Sequence, residues 1–198
     1  MWTWLVREWQ WPTAALFAGV GLLVVLPPVA FFTGTAVALV FAQLPIYMLH
    51  QCEEHKDDRF RKYANAVIGG GREALTPGAT FWINSVGVWG VDLLALYLAW
   101  LVAPSAGLVA GYLTVVNAVV HIAQAVARRE YNPGLVTAVL LFLPVGGWCV
   151  YESGTGDGFW PHAAGLAGAV AVHAVIVAHM VRRLASLKAA APEPTVAH

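Results

Sequence analysis

Six apolar runs, each near the length of a membrane-crossing helix, constrain this chain more than any other feature of its sequence. A hydrocarbon core about 30 Å thick takes roughly 20 apolar residues per helix. Residues 12–32, 35–50, 80–103, 107–127, 133–151 and 161–181 have that character. Residues 14–49 are almost unbroken, with Pro27-Pro28 and Thr33-Gly34 as the only punctuation, so a hairpin is expected near Thr33. Of 198 residues, 59% are hydrophobic and 11% charged, whereas soluble domains carry about 25% charged residues. The expected fold class is all-α: a polytopic membrane helix bundle of six transmembrane helices. Residues 1–188 are expected to form one transmembrane domain, and residues 189–198, which include Pro192 and Pro194, a disordered tail.

Charge supports the same division, because Lys and Arg concentrate in cytoplasmic loops. Arg7 precedes the first run. Lys56, Arg59, Arg61, Lys62 and Arg72 lie between the second and third, Arg128 and Arg129 follow the fourth, and Arg182, Arg183 and Lys188 follow the sixth. These are all of the Lys and Arg residues, so the connections near Thr33, near Pro104-Ser105 and over residues 152–160 contain none. Both termini are expected in the cytoplasm, in a multi-pass protein of the inner (cytoplasmic) membrane. Trp2, Trp4, Trp9, Trp11 and Trp82 would sit at the inner interface and Trp100, Trp148 and Trp160 at the outer one, with Trp89 alone at mid-membrane.

Eleven basic and eleven acidic residues cancel, which argues against a nucleic-acid partner. Cys52 and Cys149 fall on opposite sides of the expected bilayer, too far apart for a disulfide. The first apolar run is too long for the h-region of a secretory signal peptide. Between the second and third runs, Phe60, Tyr63, Ala64, Val67 and Ile68 recur at helical spacing beside Arg59, Arg61 and Lys62. The pattern predicts a short amphipathic helix on the cytoplasmic surface, ended by Gly69-Gly70-Gly71 and placed to cover a site opening inward.

The candidate chemistry begins at the end of the second run. At 100° per residue Gln43, Tyr47, His50, Glu53, Glu54 and Asp57 share one face. Asp57, Asp58 and His55 fit a solvated helix end. His50 and Glu53 lie about 5–9 Å inside the basic stretch by helical rise, where ionisable groups are costly and commonly paired or functional. The fourth run carries a matching stripe, Thr114, Asn117, His121, Gln124 and Arg128. Thr114 and Gln124 read best as interhelical hydrogen-bonding groups. His121 is about 10 Å deep by the same helical rise, near the level of His50, so both helices can present histidine to one site.

Three further positions keep two readings. In the sixth run His173 and His179 are about 120° apart around the helix and cannot face one point; His179, at the inner level, is a further ligand, a proton carrier or a structural group. Asp92 in the third run serves a proton path or a hydrogen bond to a neighbouring helix. Asn132 before Pro133 has the form of a helix cap. Pro45 and Pro144 are expected to kink the second and fifth runs.

The residues His50-Gln51-Cys52-Glu53-Glu54, followed by Asn117 and His121, by Tyr131-Asn132-Pro133-Gly134 with Thr137, and by Pro144, resemble the HXXEE-domain family of small bacterial integral membrane proteins. The likeness covers about residues 50–144. It implies little about activity, because the family is functionally uncharacterised, but it singles out His50, Glu53, Glu54, Asn117, His121 and Asn132. The apolar run before the motif departs from the family pattern.

The favoured expectation is a membrane enzyme whose catalytic group is His50, Glu53, Glu54, His121 and Asn117. A divalent transition metal, Zn, Fe or Mn, would be ligated by His50, Glu53 or Glu54, and His121, with Asn132, His179 and Asp92 in support. The substrate would be lipophilic or membrane-delivered. One alternative keeps the residues without a metal, as a His/Glu acid–base pair for isomerisation, epimerisation or cyclisation. The other is a non-enzymatic carrier or assembly partner.

Overall fold

A computed structural model of the chain describes residues 1, 3–4 and 8–190. The expectations for Trp2, Arg7 and the tail beyond residue 190 concern residues outside that set. Among the described residues the structure is helical and contains no strand. Helix α1 (Trp11–Val24) and α2 (Leu26–Thr33) meet at a 46° bend. Pro27 and Pro28 open α2, and the missing N–H groups and ring clashes of proline break the backbone ladder there. The first apolar run is thus two helices. The chain then turns at Gly34, whose φ of +85° costs a residue without Cβ little, and the hairpin expected near Thr33 brings α1 back along α3 (Thr35–His55).

Helix α4 (Arg59–Val67) follows a break at Asp57 and Asp58, which have φ of +57° and +64°. Then come α5 (Pro77–Leu101), α6 (Leu108–Arg128), α7 (Leu135–Gly154) and α8 (Phe159–Ala189). The helices α3, α5, α6, α7 and α8 are long and apolar enough to cross a membrane, and the bent α1–α2 pair would be a sixth span. Two of them contain π-helical stretches, Ile83–Val88 in α5 and Ala138–Gly146 in α7, the second enclosing Pro144. Pro45 lies within α3, which continues through it.

Helix α3 is the axis of the bundle: every residue from Val37 to Met48 is buried, so it is enclosed on all sides. Its buried amides are satisfied by neighbours, as interiors require. Thr114 of α6 donates to Gln43 Oε1 at 2.8 Å, Trp89 Nε1 to Gln51 Oε1 at 2.7 Å and Gln51 Nε2 to Asn84 Oδ1 at 3.0 Å. The half-buried Trp89 thereby finds a polar partner for its indole N–H.

The connections rich in Lys and Arg gather at one end. Helix α4 packs its apolar side, Phe60 and Ala64, against Leu75, Met180 and Leu184, while Arg183 Nε donates to the Glu73 carbonyl at 3.3 Å. The glycine run after α4 forms a turn closed by Gly71 N to Asn65 O at 3.0 Å.

Candidate metal centre

The HXXEE stretch lies on the last turns of α3, where the helix leaves the core under α4. His50 is fully buried, and its ring packs at 4.3 Å from Phe142 of α7. The ring of His121, from α6, meets it edge-on at 5.1 Å. Between them stands Glu54, 6% exposed. Its Oε2 lies 3.6 Å from His50 Nε2 and its Oε1 3.6 Å from His121 Nε2. The ligating atoms of the three residues lie within 4.8 Å of one another. The histidines expected to converge from two helices do so.

Hydrogen bonds determine which ring nitrogens face the carboxylate. Asn132 Nδ2 donates to the His121 carbonyl at 2.8 Å, leaving Asn132 Oδ1 to accept from His121 Nδ1 at 2.6 Å. Thr137 donates its hydroxyl proton to Glu53 Oε2 at 2.5 Å, so its oxygen accepts from His50 Nδ1 at 2.8 Å. In the neutral rings both Nε2 atoms therefore carry lone pairs, and His50 Nε2 has no hydrogen-bond partner. Two lone pairs and a carboxylate, all acceptors, point into one buried space. Acceptors in such a place are stabilised by a proton or a metal cation among them. Ligands at about 2.0–2.2 Å from a tetrahedral metal are about 3.4 Å apart; each histidine lies 3.6 Å from a different oxygen of Glu54, and closing the whole set from 4.8 Å takes a small inward shift of the side chains. The group could hold a metal ion.

Glu53 points elsewhere. Its carboxylate accepts from Tyr131 Oη at 2.7 Å, Val136 N at 3.1 Å and Thr137 N at 2.8 Å, as well as from the Thr137 hydroxyl. Partial burial and the Glu53 hydrogen bond push the Tyr131 phenol above its ordinary pKa. Asn132 does not cap α7: the helix begins at Leu135 after Gly134, and the Asn132 side chain is committed to His121. Gly134, with φ +101°, lies directly over the two rings. A Cβ there would come within 2.7 Å of His50 Cε1 and 2.8 Å of His121 Cε1.

The remaining candidates are spread around this centre. Asn117 Nδ2 donates to Tyr47 Oη at 3.0 Å, and both residues line a cavity beside Glu54 and His121. His179 is exposed and lines no part of that cavity, whereas His173, its neighbour on α8, does. Asp92 is buried outside the group, and neither of its carboxylate oxygens has a hydrogen-bond partner. His55, read from sequence as a solvated helix end, is buried with Nε2 2.9 Å from Glu54 Oε2, off the hydrogen-bond axis, and its ring packs 5.1 Å from that of Trp11. Thr137, Tyr131 and Gly134 are the contributors that helical faces did not identify. They lie in or just after the Tyr131–Gly134 segment, whose role depends on where the loop folds.

Compared with known proteins, residues 40–149 match a family model described as "Protein of unknown function with HXXEE motif". No curated protein and no solved structure matches the chain.

Proposed function

The chain belongs to the family of proteins of unknown function defined by the HXXEE motif, and we propose that this member is an integral membrane enzyme built around one divalent transition metal, Zn, Fe or Mn. His50 Nε2, His121 Nε2 and the Glu54 carboxylate are the ligands. The observation that carries the reading is the buried set of facing acceptors, each imidazole held by a hydrogen bond at its far nitrogen. Imidazole with carboxylate suits these metals, and three protein ligands leave a position open. A metal so held activates bound water or polarises a carbonyl.

In this reading Glu53 is a supporting group. Through Thr137 it keeps the His50 proton on Nδ1, as Asn132 keeps that of His121, the outer-shell support common at metal-binding histidines. Asn117 orients the substrate from the adjoining cavity. His55 carries protons between Glu54 and a polar cleft that it lines with Glu8, Asp57, Asp58, Arg61 and Glu73. His179 and Asp92 take no part. The protein has six spans with both termini in the cytoplasm, because its basic connections gather at one end, and the centre lies at the cytoplasmic side of the inner membrane. The substrate is lipophilic and reaches it from the bilayer.

Metal analysis of detergent-purified protein tests this. Wild type is expected to carry a near-stoichiometric transition metal, lost in His50→Ala, Glu54→Ala and His121→Ala and retained in His179→Ala. A well-folded wild type that holds no metal, even after reconstitution, would sink the metal reading. The metal-free acid–base reading would then stand, favoured by the contact of one carboxylate with three imidazoles.

A further inference from the structure

Two spaces lie side by side next to the candidate centre, and their linings differ in character. The cavity next to Glu54 and His121 has a volume of 140 Å³, and among the described residues no Lys or Arg lines it. Its polar wall comprises Thr80, Asn84, Asn117, Gln124 and His173, with His55 at its edge. A crevice between α5 and α8 adjoins it, since Ile83 and Ile176 line both. The rest of the crevice is Gly87, Val91, Ala171, Val172 and Val175, and its wall exposes no polar surface. It follows α5 from Ile83 to Val91, about 12 Å by helical rise. Its rim is apolar as well: Val175, in its lining, is 69% exposed. Helices α5 and α8 are both long and apolar enough to cross a membrane, so in a bilayer this rim meets hydrocarbon.

We infer that crevice and cavity together bind one neutral, single-chain amphiphile drawn from the bilayer, its chain between α5 and α8 and its uncharged polar head beside His121 and Glu54. The inference rests on the enzymatic reading above and names its substrate class. The wall beyond the ligands offers neutral hydroxyl and amide groups, Thr80, Asn84, Asn117 and Gln124, and, among the described residues, no Lys or Arg to receive an anion, which suits an uncharged head. A cationic head would compete with the metal for the Glu54 carboxylate. The cavity is smaller than the roughly 300–1,000 Å³ of ordinary ligand pockets, which fits a narrow head on one chain. The polar cleft on the other side of His55 gives water a separate approach. Hydrocarbon and water would thus reach the centre from opposite directions.

The test uses the full chain in nanodiscs and a photoactivatable long-chain alcohol with a diazirine at mid-chain. Label is expected to concentrate in peptides covering residues 83–91 and 171–176. It should be displaced by an unlabelled long-chain alcohol and not by the carboxylic acid of equal length. A Cβ on Gly87 would approach only Trp82 O, at 3.9 Å, so a larger side chain enters the crevice without striking its own helix. Gly87→Phe, and independently Ala171→Phe, should lower labelling about tenfold, since each ring displaces chain methylenes. Leu140→Phe, on an exposed face of α7 and outside the crevice lining, should label as wild type. Label spread evenly over the exposed helix faces of wild type, labelling unchanged in both crevice variants, or equal displacement by the acid would each overturn the inference. Metal content measured on the same preparations separates the two readings. Loaded wild type with evenly spread label leaves the metal centre standing, whereas metal-free wild type overturns that centre whatever the label does.

Discussion

At Gly134 a single hydrogen in place of a side chain lets two imidazoles and a carboxylate meet. Its φ of +101° is one that residues with a Cβ rarely adopt, and the missing Cβ leaves the space that His50 and His121 occupy. Gly134→Ala would strain the backbone by roughly 1–3 kcal/mol and wedge the rings apart. The expected outcome is a lower melting temperature with metal content at background, read by thermal melts and metal analysis. Asn132 and Thr137 act one step further out, holding ring protons on the nitrogens that face away from Glu54. Asn132→Ala and Thr137→Val should weaken metal affinity about 10–100-fold while helical content stays at the wild-type level. Competition with a chelator of known affinity measures this, and wild-type affinity in both variants would exclude tautomer control.

Helix α7 begins without a cap of its own, because Gly134 at its N-cap position has no side chain to accept the first amides. Glu53 of α3 supplies the missing acceptor, taking the N–H groups of Val136 and Thr137. A carboxylate at the positive end of a helix is favourable on both hydrogen-bonding and dipole grounds. One side chain therefore ties α3 to α7 and orients His50 through Thr137. Glu53→Ala should cost about 1–2 kcal/mol and speed amide hydrogen exchange at Val136 and Thr137 ahead of the rest of α7. Exchange that rises uniformly, or not at all, would remove the cap from the account. The π-helical stretches also concern the centre, as wide turns often do at functional sites. Asn84 in the first holds Gln51, next to His50 in the chain, and Phe142 in the second packs on the His50 ring.

Across the whole molecule, the basic connections lie at the end that carries the centre, and residues 155–158 lie at the other end of α7 and α8. If six spans cross the inner membrane, single cysteines on these two sides should label oppositely. In a chain with Cys52 and Cys149 replaced by Ala, Asp157→Cys is expected to react with a membrane-impermeant maleimide added to intact cells. Ser186→Cys should react only after the cells are opened. Reaction of both from the same side would defeat the six-span arrangement and with it the cytoplasmic position of the centre.

Apolar run length and helical periodicity are local properties, and by themselves they determined the all-helical class, the turn after Thr33, the amphipathic α4, and the meeting of His50 with His121 at one depth. Resemblance singled out Asn132, which the sequence alone read as a helix cap. Only the tertiary structure decided which of two adjacent glutamates joins the imidazoles. Glu53 and Glu54 differ by 100° on one helix, and both sit on the face selected by spacing. The rotation of α3 against α6 and α7 aims Glu54 at His121 and leaves Glu53 to the start of α7. The same holds for His173 lining the cavity while His179 is exposed, and for Asn132 serving His121 instead of capping a helix. Periodicity gives a residue its direction around its own axis, but the partner it meets depends on how separate helices and the loops between them pack.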